Sequence, residues 1–296
     1  MRFSVIIPTF NRPNELKNCL QSFTALDDPS GEWELIVVND GGTEPFVSTT
    51  GKLLDNLPLK HLSIDHAGPA SARNAGAKVA KGDHIAFTDD DCRVEPDWLC
   101  QFEKGFKSGQ YDALGGRSLN PFPNNAVAAA WHYLIDFLYD FLTDESGNVL
   151  QLVSNNVAYR RSVFEALGGF DETFPFAGGE DTELSHRLLA KGYRQRYHPD
   201  AKLWHYHTAL SPGKYIKQQF RYGRGNYRMK QALIKNHLQP IKFEPRVKTS
   251  YKRALIRSLF KSKASIPIWF LVILSQIIVD PAGQHYQKMI STKEFK

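Results

Sequence analysis

Short apolar runs alternate with helical periodicity through the N-terminal part of this chain, and each run stops at turn chemistry. Residues 4–7 lead into Pro8-Thr9, and residues 34–38 lead into Asn39-Asp40-Gly41-Gly42. Such runs, rich in β-formers, read as buried parallel strands. Between them, residues 13–26 carry Leu16, Cys19, Leu20 and Phe23 at helical spacing, with Asn11 or Arg12 near the cap, which makes a β-α-β unit. A third apolar segment over 59–64 precedes a helix over 71–80. A fourth strand over 85–88 follows the Lys81-Gly82-Asp83 turn. This order implies an α/β fold with a doubly wound, mostly parallel sheet flanked by helices.

In such sheets ligands bind beyond the carboxyl ends of the strands. That rim holds Pro8-Thr9-Phe10-Asn11, Asn39-Asp40-Gly41 and Asp89-Asp90-Asp91. No Gly-x-Gly-x-x-Gly or Gly-Lys-Ser/Thr loop follows any of the strands, which disfavours dinucleotide dehydrogenases and P-loop enzymes. The triplet is either a solvated acidic turn or a cation site. Strand alternation predicts that Asp89 and Asp91 converge while Asp90 points away. Paired carboxylate oxygens suit Mg²⁺ or Mn²⁺, which also takes phosphate oxygens from a substrate.

Downstream, residues 154–161 lead into a helix with Val163, Phe164 and Leu167, stopped by Gly168-Gly169. Gly178-Gly179-Glu180-Asp181 then opens a helix over 182–191. Carboxylates at a helix start have a structural reason, since free N–H groups and the helix dipole favour negative charge there. The two glycines add room for a ligand to approach the backbone, and Asp181 is positioned to take a proton from an attacking hydroxyl. His205 and His207, two residues apart after a strand-like run, face one side. His205 is the expected third metal ligand and His207 the reserve.

With 296 residues, 42% of them hydrophobic, the chain can build a substantial core. Cys19, Cys92 and Cys100 show neither metal-ligand spacing nor an even count, so a reducing, cytoplasmic setting fits best. The N-terminal apolar run is broken by Pro8 and polar residues, and no signal peptide is expected. The formal charge of +6 is uneven: between Ser211 and Val279 the only acid is Glu244. Residues 1–210 are therefore read as one α/β domain that carries the polar rim and 211–296 as a basic helical extension.

Several ordered motifs together resemble the inverting family 2 glycosyltransferases, which have the GT-A fold. Val5-Ile6-Ile7-Pro8-Thr9-Phe10-Asn11-Arg12 resembles their nucleotide-binding strand, and Val37-Val38-Asn39-Asp40-Gly41-Gly42 their Val-Asp-Asp-Gly-Ser turn. Ala72-Arg73-Asn74-Ala75-Gly76 resembles the Ala-Arg-Asn-x-Gly segment, and Asp89-Asp90-Asp91 with Pro96 and Leu99 the Asp-x-Asp block. Gly169-Phe170-Asp171 with Glu180-Asp181 resembles the acceptor-side block, and Gln218-x-x-Arg221-Tyr222 the Gln-x-x-Arg-Trp element, with Tyr222 in place of Trp.

The resemblance implies that Pro8, Thr9, Phe10, Asn11 and Asp40 hold the nucleotide of a nucleotide-sugar donor, UDP foremost. Arg73 would lie near the base or diphosphate, and Asp89, Asp90 and Asp91 at the donor, with Asp91 the firmer metal ligand. Asp181 would be the base, beside Glu180. Asn156, Gly179, Gln218, Arg221 and Tyr222 are assigned to a carbohydrate or lipid-linked acceptor. Tyr222 in place of Trp favours single transfer.

The last part holds two further expectations. A helix from Ser211-Pro212 contains Gly223 and Gly225, each costing about 1 kcal/mol relative to Ala. Arg221, Arg224 and Arg228 around them invite a phosphate, or else the glycines mark a break between two helices. Beyond Lys248, Lys252, Arg253, Arg257, Lys261 and Lys263, the apolar stretch 266–279 is shorter than the about 20 residues of a spanning helix. It reads as an interfacial helix with peripheral contact on anionic membrane at the inner face. Residues 127–142 add an apolar patch or cover the core. Rival readings are a nucleotidyltransferase, which lacks its Gly-rich loop here, and a silent carbohydrate-binding relative. A nucleic-acid-binding protein is disfavoured, because the basic charge sits in one tail without a recognisable module.

Overall fold

The computed structural model describes residues 2–27, 32–43, 57–207, 210–236, 238, 249–262 and 265–294. Among them, β1 (Phe3–Thr9), β2 (Trp33–Asp40), β3 (Leu59–Ile64), β4 (His84–Thr88), β5 (Cys92–Val94), β6 (Ala113–Leu119), β7 (Asn156–Arg160) and β8 (Gln195–His205) form one sheet in the order β3-β2-β1-β4-β7-β6-β8-β5. The first four strands are parallel. Their runs are apolar without alternation because both faces are covered. Val5, Ile7, Leu35 and Val37 pack on one side with Leu16, Leu20 and Phe23 from α1 (Pro13–Ser22) and the 3₁₀ turn after it. Ile6, Ile36, Val38 and Phe87 pack on the other with Ala70, Ala72 and Ala77 of α2 (Pro69–Val79). This second helix starts earlier than periodicity suggests, since Pro69 suits its first turn.

Beyond β4 the sheet is mixed. β7 lies antiparallel between β4 and β6, β8 runs parallel to β6, and short β5 turns back antiparallel on the end of β8. That last pairing sets Cys92 opposite His205, and the Tyr206 N–H donates to the Asp91 carbonyl at 2.7 Å. The end of β8 is thereby brought beside the acidic triplet.

The remaining helices are α3 (Trp98–Lys107), α4 (Ala126–Phe141), α5 (Arg161–Leu167), α6 (Glu180–Ala190), α7 (Pro212–Lys235), α8 (Tyr251–Lys261), α9 (Ile266–Leu274) and α10 (Asp280–Glu294). Helix α4 covers core: Val127, Trp131, Leu134 and Phe137 join Tyr215, Leu255, Leu259, Leu271 and Val272 in one cluster shared with the C-terminal helices. The expected break at Gly223-Arg224-Gly225 is absent, and α7 runs through it. A Cβ at Gly223 would lie 2.1 Å from the Asp280 carbonyl oxygen, and one at Gly225 1.9 Å from that of Gly178. The glycines thus admit neighbouring backbone, not a phosphate.

The apolar stretch at 266 is also longer than expected. It continues through a π turn at Ser275–Val279 into α10, and Ile266–Met289 is long and apolar enough to cross a membrane by length and composition. Leu271, Val272 and Val279 are nevertheless buried against the protein. Lys248 and Lys263 lie outside the described residues.

Candidate active site

At the carboxyl ends of β1, β2 and β4 opens a cavity of about 490 Å³, lined by Pro8, Thr9, Phe10, Asp40, Arg73 and Asp89-Asp90-Asp91 from the N-terminal sheet. From the second half of the chain it receives Ala177, His205, His207, Gln218, Arg221 and Tyr222. Phe10 is half exposed, and its ring stacks on His66 at 4.3 Å. Asp40 accepts the backbone N–H groups of Ala67 at 2.8 Å and Gly68 at 3.0 Å, fixing the loop that delivers α2 and Arg73. Asn11 turns away: its side-chain oxygen accepts the Thr43 N–H at 3.0 Å and braces the turn after β2.

The triplet departs from simple alternation because β4 ends at Thr88 and residues 89–91 form a turn, closed by the Cys92 N–H donating to the Asp89 carbonyl at 3.1 Å. Asp90 and Asp91 converge on Arg12, at 2.6 and 2.8 Å, and Asp90 also accepts the Thr9 hydroxyl. Asp89 diverges from them and meets Arg73 at 2.7 Å. The expected pairing of Asp89 with Asp91 is therefore not formed. Asp91 Oδ1 instead faces His205 Nε2 at 3.3 Å.

With the Cys92 sulfur, these two atoms form a group lying within 4.8 Å of one another. Burial pushes the Cys92 thiol well up, so the sulfur stays protonated and is a poor ligand. Carboxylate plus imidazole remains, a donor pair that fits a divalent ion such as Mn²⁺ or Mg²⁺. The Asn155 amide sits 3.0 Å from His205 Nδ1. The amide nitrogen faces Nδ1 while the amide oxygen accepts the Ser118 hydroxyl at 3.3 Å, so Nδ1 is the acceptor and Nε2 carries its proton toward Asp91; ligation through Nε2 requires that proton to leave. Burial works to raise the pKa of Asp91, but its contacts with His205 and Arg12 outweigh it and hold the carboxyl below its ordinary range. A carboxylate ready to bind a cation results.

A second cavity, about 370 Å³, adjoins the first and shares Arg73, Asp89, His205 and Tyr222 with it. Glu180 and Asp181 line this side, at the first turn of α6. Asp181 accepts the N–H groups of Thr182 at 2.8 Å and Ser154 at 3.2 Å. Glu180 accepts the Gly178 N–H at 2.6 Å and faces Arg73 at 3.3 Å. Burial raises both carboxyls. Glu180 reaches about 7, helped by the charge of Asp181, while the backbone donors and Arg73 restrain the rise at Asp181. Arg73, itself buried, thus spans the seam between the two cavities, with its Nε lacking a partner among the described residues.

Asn156 does not reach this space. Its amide is consumed by Trp98 Nε1 and by the carbonyls of Arg117 and Ala201, so it locks strands together, while neighbouring Asn155 lines the cavity. Gly179 lines it too, but the backbone that approaches Gly178-Gly179 is that of Gly225. Of the three arginines near the helical glycines, only Arg221 faces the donor-side cavity. Arg224 bonds Gln287 and lies over Phe176, and Arg228 lines a separate cleft. Sequence reasoning missed Arg12, His66, Asn155 and the roof of the second cavity: Trp131, Gln219, Tyr251 and Gln276. Arg12, Asn155 and Trp131 lay in stretches already singled out, but none of them was assigned to the site.

A family model described as glycosyl transferase family 2 matches residues 4–168, more than half of the chain. The chain belongs to that family. A second model, described as the N-terminal domain of galactosyltransferase, matches residues 147–209, the stretch that supplies Asn155, Asp181 and His205. Among curated glycosyltransferases, AglE of Haloferax volcanii is 28% identical over 75% of this chain and 72% of its own length. The pre-mycofactocin glycosyltransferase of Mycobacterium tuberculosis is 30% identical over 69% of this chain, which spans 42% of that protein. The O-antigen biosynthesis protein RfbC of Myxococcus xanthus is 28% identical over 70% of this chain, which spans 17% of it. The fold is that of the mannosyltransferase PcManGT from Pyrobaculum calidifontis, solved with GDP-Man and Mn²⁺, with a TM-score of 0.60 at 18% identity over 99% of this chain and 74% of that one. It is also that of residues 1–349 of S. aureus TarS, with a TM-score of 0.56 at 17% identity over 99% of this chain and 92% of that one. This family 2 chain is an α/β transferase with a GT-A sheet and a helical C-terminal region.

Proposed function

We propose that the protein is a metal-dependent, inverting glycosyltransferase that moves a sugar from a nucleoside-diphosphate donor, UDP foremost, to a hydroxyl of a carbohydrate or lipid-linked acceptor in polysaccharide or glycolipid assembly. One observation carries this reading. The cavity of Asp91 and His205 and the cavity of Asp181 meet at Arg73, Asp89 and Tyr222, so a leaving group and a proton acceptor can flank one reacting carbon. The donor-bound neighbours support it: PcManGT was solved with GDP-Man and Mn²⁺, and TarS with UDP-GlcNAc.

Asp91 and His205 would hold the dication, which supplies charge neutralisation at the departing diphosphate. Arg221, facing the same cavity, adds a fixed positive charge. The Phe10–His66 pair offers a flat apolar wall for a base. Asp181, with its pKa raised by burial, takes the proton of the attacking hydroxyl as the new glycosidic bond forms opposite the breaking one. Configuration inverts, and no covalent enzyme intermediate is required. Tyr222 closes the seam through its hydroxyl, which receives the Gln218 amide at 3.0 Å; with Tyr in place of Trp there, one sugar is transferred per encounter.

UDP, GDP and dTDP sugars should each be tested by thermal shift with Mn²⁺, because a bound donor raises stability by mass action. The reading requires a stabilising donor and slow, Mn²⁺-dependent hydrolysis of it. Absence of both across the panel would reject it.

A further inference from the structure

Outside the two cavities, the corner where α8 meets α9 carries the two most exposed large apolar side chains of the described residues, Ile266 and Phe260, with two more beside them. Ile266 is 85% exposed, Phe260 72% and Phe270 65%, with Ile256 at 39%. Ile256 and Phe260 lie four residues apart on α8, and Ile266 and Phe270 four apart on α9, so each pair forms one row along its helix. The Phe260 ring meets Trp269 at 4.7 Å and joins the rows. On α8 the same exposed side carries Lys252, Arg253, Arg257 and Lys261. An aromatic ridge bordered by cations, in a stretch whose only acid is Glu244, is complementary to an anionic lipid surface.

We propose that this corner seats the protein on an anionic bilayer and that the acceptor is a lipid-anchored molecule received from that surface, an inference whose second half rests on the glycosyl-transfer reading. Helix α8 begins at Tyr251, which lines the cavity of Asp181, and carries exposed Phe260 in its last turn, about 14 Å away at helical rise. Gln276 lines the same cavity and lies about 9 Å along its helix from exposed Phe270. Both helices therefore run from the acceptor cavity to the ridge. Between them, Trp131, Leu134, Ile135 and Leu138 of α4 give that cavity an apolar wall, suited to the first apolar atoms of an anchor whose polar head reaches Asp181.

The helix from 266 onward lies on the surface in this arrangement and does not cross the bilayer. Gln276 bonds Tyr251, Asp280 bonds Asn226, and Gln287 bonds Arg224, at 2.8, 2.9 and 3.0 Å, and a spanning helix would surrender all three.

Flotation of the full chain with vesicles of phosphatidylcholine, with and without phosphatidylglycerol, tests the surface. Binding is expected with the anionic vesicles only, released by alkaline carbonate and reduced at least tenfold in Phe260→Ser/Phe270→Ser and in Lys252→Gln/Arg253→Gln/Arg257→Gln, with melting temperatures of both variants near wild type. No flotation, resistance to carbonate, or self-association through the ridge in sedimentation overturns it. For the acceptor, radiolabel from UDP-glucose, UDP-GlcNAc or GDP-mannose incubated with the protein and host membranes should enter the organic phase. Label confined to aqueous glycans overturns the lipid anchor while leaving glycosyl transfer standing, whereas no donor turnover at all defeats the transfer reading independently of flotation.

Discussion

Replacing Gly225 with Ala pits helix propensity against packing. In a helix interior the exchange favours the folded state by about 1 kcal/mol. Here the added Cβ would sit 1.9 Å from the Gly178 carbonyl oxygen and 2.6 Å from its carbon, so α7 or the loop must retreat by about 1.5 Å to reach ordinary contact. Both obstructing atoms are backbone and cannot swing aside, which places the cost at the upper end of the about 1–3 kcal/mol typical of overpacking. The net result is destabilisation by about 2 kcal/mol. The shifted loop also carries Asp181 at its far end, and a displacement near 1 Å in a reacting group costs about 10²-fold in rate. Urea unfolding and transfer kinetics read the two effects separately. Gly213→Ala is the internal control: nothing lies within 4 Å of its Cβ, and it should be neutral or stabilising. A Gly225→Ala protein as stable as wild type, at unchanged urea dependence, would refute the claim that backbone contact, not ligand access, selects glycine here.

Asp181→Asn should keep donor and Mn²⁺ binding in calorimetry yet lose transfer by about two or more orders of magnitude; normal turnover rules out the base. Asp91→Ala should abolish Mn²⁺-dependent donor binding, and unchanged affinity in a calorimetric titration counts against the metal corner. Asn155→Leu, which removes the partner of His205 Nδ1, should weaken Mn²⁺ binding about 10- to 100-fold, with a changed imidazole nitrogen spectrum by NMR. Burial raises the folded-state pKa of Glu180 from 4.5 to about 7, so any stability this group contributes is present below about pH 4.5 and is lost as pH rises through about 7. Glu180→Gln should flatten that decline in melting temperature, and an unchanged slope would contradict it. Because Asp181 is raised as well, transfer should fall on the acid side at a pH above the ordinary carboxylate range.

The parallel half of the fold was legible because its strands are buried on both faces. Runs such as Val5-Ile6-Ile7 and Leu35-Ile36-Val37-Val38 cannot be solvated on either side, and Pro8, Asp40 and Asp89 mark where they stop. The rim follows from that topology, which is why Thr9, Asp40, Arg73 and the triplet do share one cavity. What failed was orientation within a few residues. Alternation holds only while the backbone is extended; once β4 ends at Thr88, a turn regroups the triplet as Asp90 with Asp91, and Asp89 goes to Arg73.

The exchange of Asn155 for Asn156 has the same origin, at the start of a strand. The two residues carry identical chemistry, but Asn156 is the first residue of β7 and Asn155 the last of the turn before it, so their side chains part. Which one meets the cavity is decided by β7 pairing with β4, where Asn156 stands opposite Thr88, and by the buried indole of Trp98 that claims its amide oxygen. Neither partner is visible in the local sequence. The roof of the second cavity is more remote still. Trp131, Tyr251 and Gln276 converge only because α4 shares its apolar core with helices that follow it by more than a hundred positions, and glycines at 223 and 225 let α7 close the gap. Helical periodicity identifies each helix and its apolar stripe, but the meeting of those stripes over Asp181 is set by long-range packing, to which a pattern of period 3.6 is blind.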